Sequence, residues 1–128
     1  MTLLEYAEAY QALMQLMDTP QKYADAYNLV RLKRALEPDA MFFAQKEREL
    51  MEQYAKRDER GEIVWSGAGR FVFAEPSRAG EYATARRELA EIEPEGEFKR
   101  QKLNAPESIT PRQLEALLPF ADFGGGRK

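Results

Sequence analysis

Apolar positions recur seven apart through the middle of this chain, at Leu29, Leu36, Phe43 and Leu50, with Leu32 and Tyr54 on neighbouring positions of the same face. That is the period of an amphipathic helix, and it predicts one long helix over residues 20–60. At about 1.5 Å per residue such a helix runs roughly 55–60 Å, against a radius of gyration of about 14 Å for a body of this chain length. It therefore kinks, protrudes or meets a partner. The d-type positions Asp39, Lys46 and Gln53 are polar, which argues against a sustained two-stranded coiled coil. Pro38 removes one backbone hydrogen bond and crowds the carbonyl of Arg34, at roughly 3 kcal/mol. Because Leu36 and Phe43 keep phase across it, the expectation is a kink and not a break.

Ahead of this spine, Leu3, Tyr6, Tyr10, Leu13 and Met17 alternate three- and four-residue steps, a second amphipathic stripe. Thr2 and Glu5 have the spacing of a capping box, hydroxyl and carboxylate each satisfying a free backbone N–H. Thr19-Pro20 reads as an N-cap followed by a first-turn proline, so the second helix is expected to start there. A connection that short favours an antiparallel helical hairpin.

After Gly61 the period changes. Residues 62–65 and 70–74 are short β-branched and aromatic runs around Ser66-Gly67-Ala68-Gly69, a β-hairpin pattern. In the simplest register Ile63 opposes Val72 and Val64 opposes Phe71, leaving both faces apolar. A helix follows over 78–92 with Tyr82, Leu89 and Ile92 in register, and the charged run 97–103 is a candidate third strand of edge type. Thr110-Pro111-Arg112-Gln113 repeats the capping-box spacing and starts a short helix carrying Leu114, Leu117 and Leu118, with Phe120 and Phe123 as anchors beyond Pro119. The expected fold is α+β: an N-terminal helical hairpin with one long kinked helix, a β-hairpin plus the candidate third strand, and two shorter C-terminal helices. Residues 1–123 form a single domain, and 124–128, Gly124-Gly125-Gly126-Arg127-Lys128, a flexible tail.

Composition narrows the chemistry. The 128 residues contain no cysteine and no histidine, which removes thiolate chemistry, the usual general base and the commonest transition-metal ligands. Carboxylate pairs are numerous but none stands out, so no catalytic residue, cofactor or metal site is assigned and the chain is expected not to be an enzyme. Glu91, Glu93, Glu95 and Glu97 lack the spacing and central glycine of a calcium loop. A net charge of −3 gives no strong field toward a polyanion. The basic clusters Arg31, Lys33 and Arg34 and Lys99, Arg100 and Lys102, together with Tyr23, Tyr27 and Trp65, make the best case for nucleic acid, but acids interrupt each neighbourhood, which disfavours it. No apolar run approaches the roughly 20 residues of a membrane span, and the N-terminus lacks the pattern of a signal peptide. The expectation is a cytoplasmic protein with no membrane contact.

What remains is surplus apolar surface on the distal long helix and the hairpin, and such patches mark protein contacts. The candidate protein interface is Phe43, Leu50, Tyr54, Val64, Trp65, Phe71 and Phe73, with a homodimer as the expected form.

Leu36-Glu37-Pro38, Lys46-Glu47-Arg48-Glu49-Leu50, Tyr54, Asp58-Glu59-Arg60-Gly61-Glu62-Ile63 and the ending Ile109 to Phe120 together resemble a family of small uncharacterised proteins of tailed phages and prophages. The turn from Ser66 to Gly69 is shorter than in that group. The resemblance implies a non-catalytic accessory protein in the host cytoplasm that acts by complex formation with a phage or host protein, in assembly or an accessory role. The alternatives are an inhibitor of a host defence system such as a nucleic-acid-guided nuclease and, second, a nucleic-acid-binding accessory protein.

Overall fold

In the computed structural model, which describes residues 1–67 and 69–123, both capping boxes form and each starts a helix. The Glu5 amide donates to Thr2 Oγ1 at 3.2 Å and the Thr2 amide to Glu5 Oε1 at 2.8 Å, opening α1 (Leu3–Leu16). Thr110 and Gln113 do the same at 3.1 and 3.0 Å for α4 (Pro111–Leu117).

The long helix α2 (Tyr23–Tyr54) is 32 residues and continuous through Pro38, about 48 Å at the standard rise. Pro38 is exposed, so water can serve the Arg34 carbonyl that the proline leaves without an amide partner. Thr19-Pro20 does not start α2. Its N-cap is Lys22 with no side-chain cap, and the Thr19 amide instead donates to the Leu16 carbonyl at 3.2 Å, extending the end of α1 into a turn. Helices that pack at 8–10 Å between axes need this longer link to reverse direction.

Leu13, Leu16, Leu29, Leu32 and Leu36 interlock with Tyr6, Ala9 and Ala12 in the main core, which Leu103, Leu117, Phe120 and Ala121 close from the C-terminal part. Edge-to-face contacts join Tyr6 to Phe120 at 4.8 Å and Phe98 to Phe120 at 5.0 Å. The stripe of α1 is wider than the sequence pattern drew it, since Ala9, Ala12 and Leu16 are buried while Tyr10 and Met17 are half-buried.

The β-hairpin forms with β1 (Trp65–Gly67) antiparallel to β2 (Arg70–Phe71), one residue out of the simplest register: Trp65 opposes Phe71 and Gly67 opposes Arg70, with an irregularity between Trp65 and Gly67. The cause is a third segment. The chain leaving α2 bridges both arms, Ala55 to Phe73 and Arg57 to Ile63. The Lys56 amide donates to the Val72 carbonyl at 2.7 Å, Val72 to Val64 at 2.9 Å and Val64 back to Lys56 at 2.9 Å. This closed triangle sets Val64 against Val72, and Gly67 at φ 100° absorbs the extra residue.

A 3₁₀ turn (Pro76–Arg78) leads into α3 (Ala79–Ala90). Ile92 is not on its buried face. The helix has ended, the Ile92 carbonyl accepts from the Leu3 amide at 2.8 Å, and the side chain is exposed. The candidate third strand exists as β3 (Gln101–Lys102), but it pairs in parallel with β4 (Ala121–Asp122) and not with the hairpin. Arg100 braces that junction, its Nη2 donating to the Leu118 and Ala121 carbonyls at 2.9 and 2.8 Å. Among the described residues no helix is long and apolar enough to cross a membrane. The expected tail, 124–128, lies outside the described residues.

Candidate functional site

The distal half of α2 and α3 run antiparallel, as three successive contacts show. Phe43 packs with Leu89, Arg86 Nη2 pairs with Glu47 Oε2 at 2.7 Å, and the Tyr54 ring meets Tyr82 at 5.8 Å. The α3 residues that make these contacts recur at steps of three and four, the helical repeat that keeps one face toward α2. The hairpin lies against the same pair, with Phe71 and Phe73 4.8 Å apart and each edge-on to Tyr82 at 5.2 and 5.6 Å. The Arg78 guanidinium covers the Tyr54 ring at 4.8 Å and is held by Glu81 at 3.1 Å.

Between these elements opens a groove of about 540 Å³ lined by Ala44, Glu47, Arg48, Met51, Trp65, Gly69, Arg70, Phe71, Phe73, Tyr82 and Arg86. Its size is that of a ligand or side-chain pocket. The floor is aromatic, and three guanidiniums face a single carboxylate. Burial pushes the Tyr82 hydroxyl above its ordinary pKa, with the nearby Glu47 carboxylate acting in the same direction and Arg86 opposing it.

The structure divides the seven residues singled out from sequence. Trp65, Phe71 and Phe73 line the groove. Phe43 and Tyr54 are instead only 3% and 9% exposed, Phe43 beneath Leu3, Leu89 and Ala90, Tyr54 beneath Tyr82 and Arg78. Leu50 and Val64 are half-buried. Most of the cover over Phe43 and Tyr54 comes from α3, whose sequence pattern is only weakly amphipathic, and Leu3 of α1 and Arg78 of the 3₁₀ turn complete it. Sequence reasoning missed Arg48, Arg70, Tyr82 and Arg86 as site residues. Tyr82 and Arg86, four apart on the α3 wheel, were the available signal.

Two of the basic residues considered for nucleic acid are engaged within the chain, Lys33 with Glu37 at 3.2 Å and Arg100 with backbone carbonyls. Tyr23 and Tyr27 are exposed. Among the described residues no group of three or more Asp or Glu side chains is placed to hold a metal ion, and no buried side-chain nitrogen or oxygen lacks a hydrogen-bond partner. Comparison with family models, curated proteins and solved structures finds no match to this chain.

Proposed function

We propose that this chain is a non-catalytic accessory protein, of the phage or prophage kind its sequence resembles, that works by forming a protein complex through the groove between α2, α3 and the hairpin. The observation that carries the reading is Trp65, 54% exposed on the rim of an aromatic-floored groove with Arg48 and Arg70 beside it. Tryptophan and arginine are the side chains that most often dominate protein interfaces, and an indole left in water costs free energy that a partner would recover.

The test is affinity capture from infected or lysogenic cells with the wild-type chain and with the Trp65→Ala/Arg70→Glu variant, whose circular dichroism should be unchanged because both side chains are exposed. A polypeptide retained by the wild type and lost from the variant is expected. Identical retention by both, together with self-association that the variant leaves unchanged, overturns the reading. The identity of the polypeptide then separates an assembly role from inhibition of host defence. A second reading, binding of nucleic acid, draws on the two arginines beside the indole and predicts affinity that falls steeply with salt.

A further inference from the structure

We propose that the partner at this groove is a second copy of the chain, whose acidic segment 91–97 docks there and whose own groove receives the first copy's segment in return. The inference rests on the reading of the groove as a protein-contact surface.

Arg86 is paired with Glu47, whereas neither Arg48 nor Arg70 has an ion-pair partner among the described residues. On a chain of net charge −3, a groove with two free guanidiniums is a local inversion of sign. The opposite inversion lies at 91–97, where Glu91, Glu93, Glu95 and Glu97 are all exposed. The Met1 amino group, 3.4 Å from Glu93, is the one cation paired with them among the described residues. Ile92, 47% exposed between Glu91 and Glu93, supplies an apolar anchor suited to the aromatic floor.

The groove takes Tyr82 and Arg86 from α3, and the acidic segment follows directly from the other end of the same helix. A two-fold axis crossing α3 exchanges those ends. Each copy's segment then faces the other's groove, and the assembly closes as an isologous dimer. A polyanion suits the groove less well, since two free arginines neutralise few phosphates and the net charge repels the rest.

Sedimentation velocity of the full chain, at about 50 mM and about 500 mM salt, reads the outcome. A dimer that dissociates on dilution and weakens at least about tenfold in the higher salt is expected. Arg48→Glu/Arg70→Glu and, separately, Glu93→Lys/Glu95→Lys each raise the dimer Kd about 100-fold or more, because like charges then meet across both contacts. An equimolar mixture of the two variants restores a heterodimer, since each groove again faces a segment of opposite charge. All the exchanged side chains are exposed, so folding should survive in both. A monomeric wild type at high micromolar concentration overturns the inference, as do variants that dimerise like the wild type, a mixture that stays monomeric, or open oligomers in place of a dimer. If the wild type is monomeric yet the Trp65→Ala/Arg70→Glu variant loses a captured polypeptide, only this inference falls. If neither self-association nor capture depends on the groove, the protein-contact reading falls with it. Salt-sensitive oligonucleotide binding removed by Arg48→Glu/Arg70→Glu assigns the groove to nucleic acid and overturns the dimer.

Discussion

The Tyr10 hydroxyl on α1 donates to Glu37 Oε2 on α2 at 2.9 Å, one residue before Pro38. Lys33 reaches the same oxygen from one turn back at 3.2 Å. The helical hairpin is thus tied by a polar contact at the point where α2 is missing a backbone hydrogen bond. The contact shifts the two groups in opposite directions. The hydrogen bond from Tyr10, followed by that from Lys33, lowers the Glu37 carboxyl from its ordinary 4.5. Burial, followed by the bond to Glu37, raises the Tyr10 hydroxyl above 10.0.

A carboxyl lowered in the folded state binds fewer protons there than in the unfolded chain, so its contribution is present above the ordinary carboxylate pKa and is lost as pH falls through the lower folded value. Urea midpoints measured between about pH 5 and pH 2 should therefore fall less steeply for Glu37→Gln than for the wild type. Tyr10→Phe should share part of that flattening, because it removes the largest cause of the shift. Parallel curves for all three proteins would show that the contact does not persist in solution.

At the alkaline end the sign is opposite. Tyr6, Tyr10 and Tyr82 are all raised above 10.0, each chiefly by burial. Their contribution is complete below the unfolded value and is lost as pH rises through the folded ones. Tyrosinate absorbance should show these three rings ionising above the ordinary tyrosine range. Unfolding should begin above about pH 10, and Tyr82→Phe should move that onset upward while leaving stability near pH 7 almost unchanged.

The helical hairpin, both capping boxes, the long helix running through Pro38 and the β-hairpin were legible in the sequence because each is written in local spacing: Leu29 to Leu50 in sevens, Thr-x-x-Glu and Thr-x-x-Gln, glycines between aromatic runs. The hairpin register was not, because Lys56, outside the hairpin, fixes Val64 against Val72. Nor was β4, two residues that pair with a strand about twenty positions earlier and are too short to show a period. The site residues were half legible for a related reason. Trp65, Phe71 and Phe73 announce themselves by type, whereas the burial of Phe43 and Tyr54 depends on where α3 is laid down, and that is decided by Leu89, Arg86 and Tyr82 meeting α2 at a distance in sequence.

Pro38 offers a direct probe of the long helix. It lies inside a continuous α2 and is exposed, so Pro38→Ala should restore an amide donor to the Arg34 carbonyl without creating a cavity. A gain of roughly 1 to 3 kcal/mol in unfolding free energy is expected, the upper end being the cost of an interior proline. Chemical denaturation measures it. If the chain were broken at this point, the substitution would leave stability unchanged or lower it.

Trp65 is the chain's single tryptophan, and its position gives an optical test of which surface is used. With 54% of its surface exposed on the groove rim, the free chain should emit at the long wavelengths of a hydrated indole and be quenched steeply by acrylamide. An interface formed over the groove removes water from that ring, because a docked apolar side chain and the indole bury each other. Emission should then shift to shorter wavelength, and quenching should weaken in step with complex formation when the chain is concentrated or a partner is added. The Arg48→Glu/Arg70→Glu variant separates this from a change inside the fold. It alters charge at the groove and leaves the aromatic cluster of Phe71, Phe73 and Tyr82 in place, so its free-state emission should match the wild type while the concentration-dependent shift is lost. A complex that forms with no change at Trp65 uses another face of the molecule.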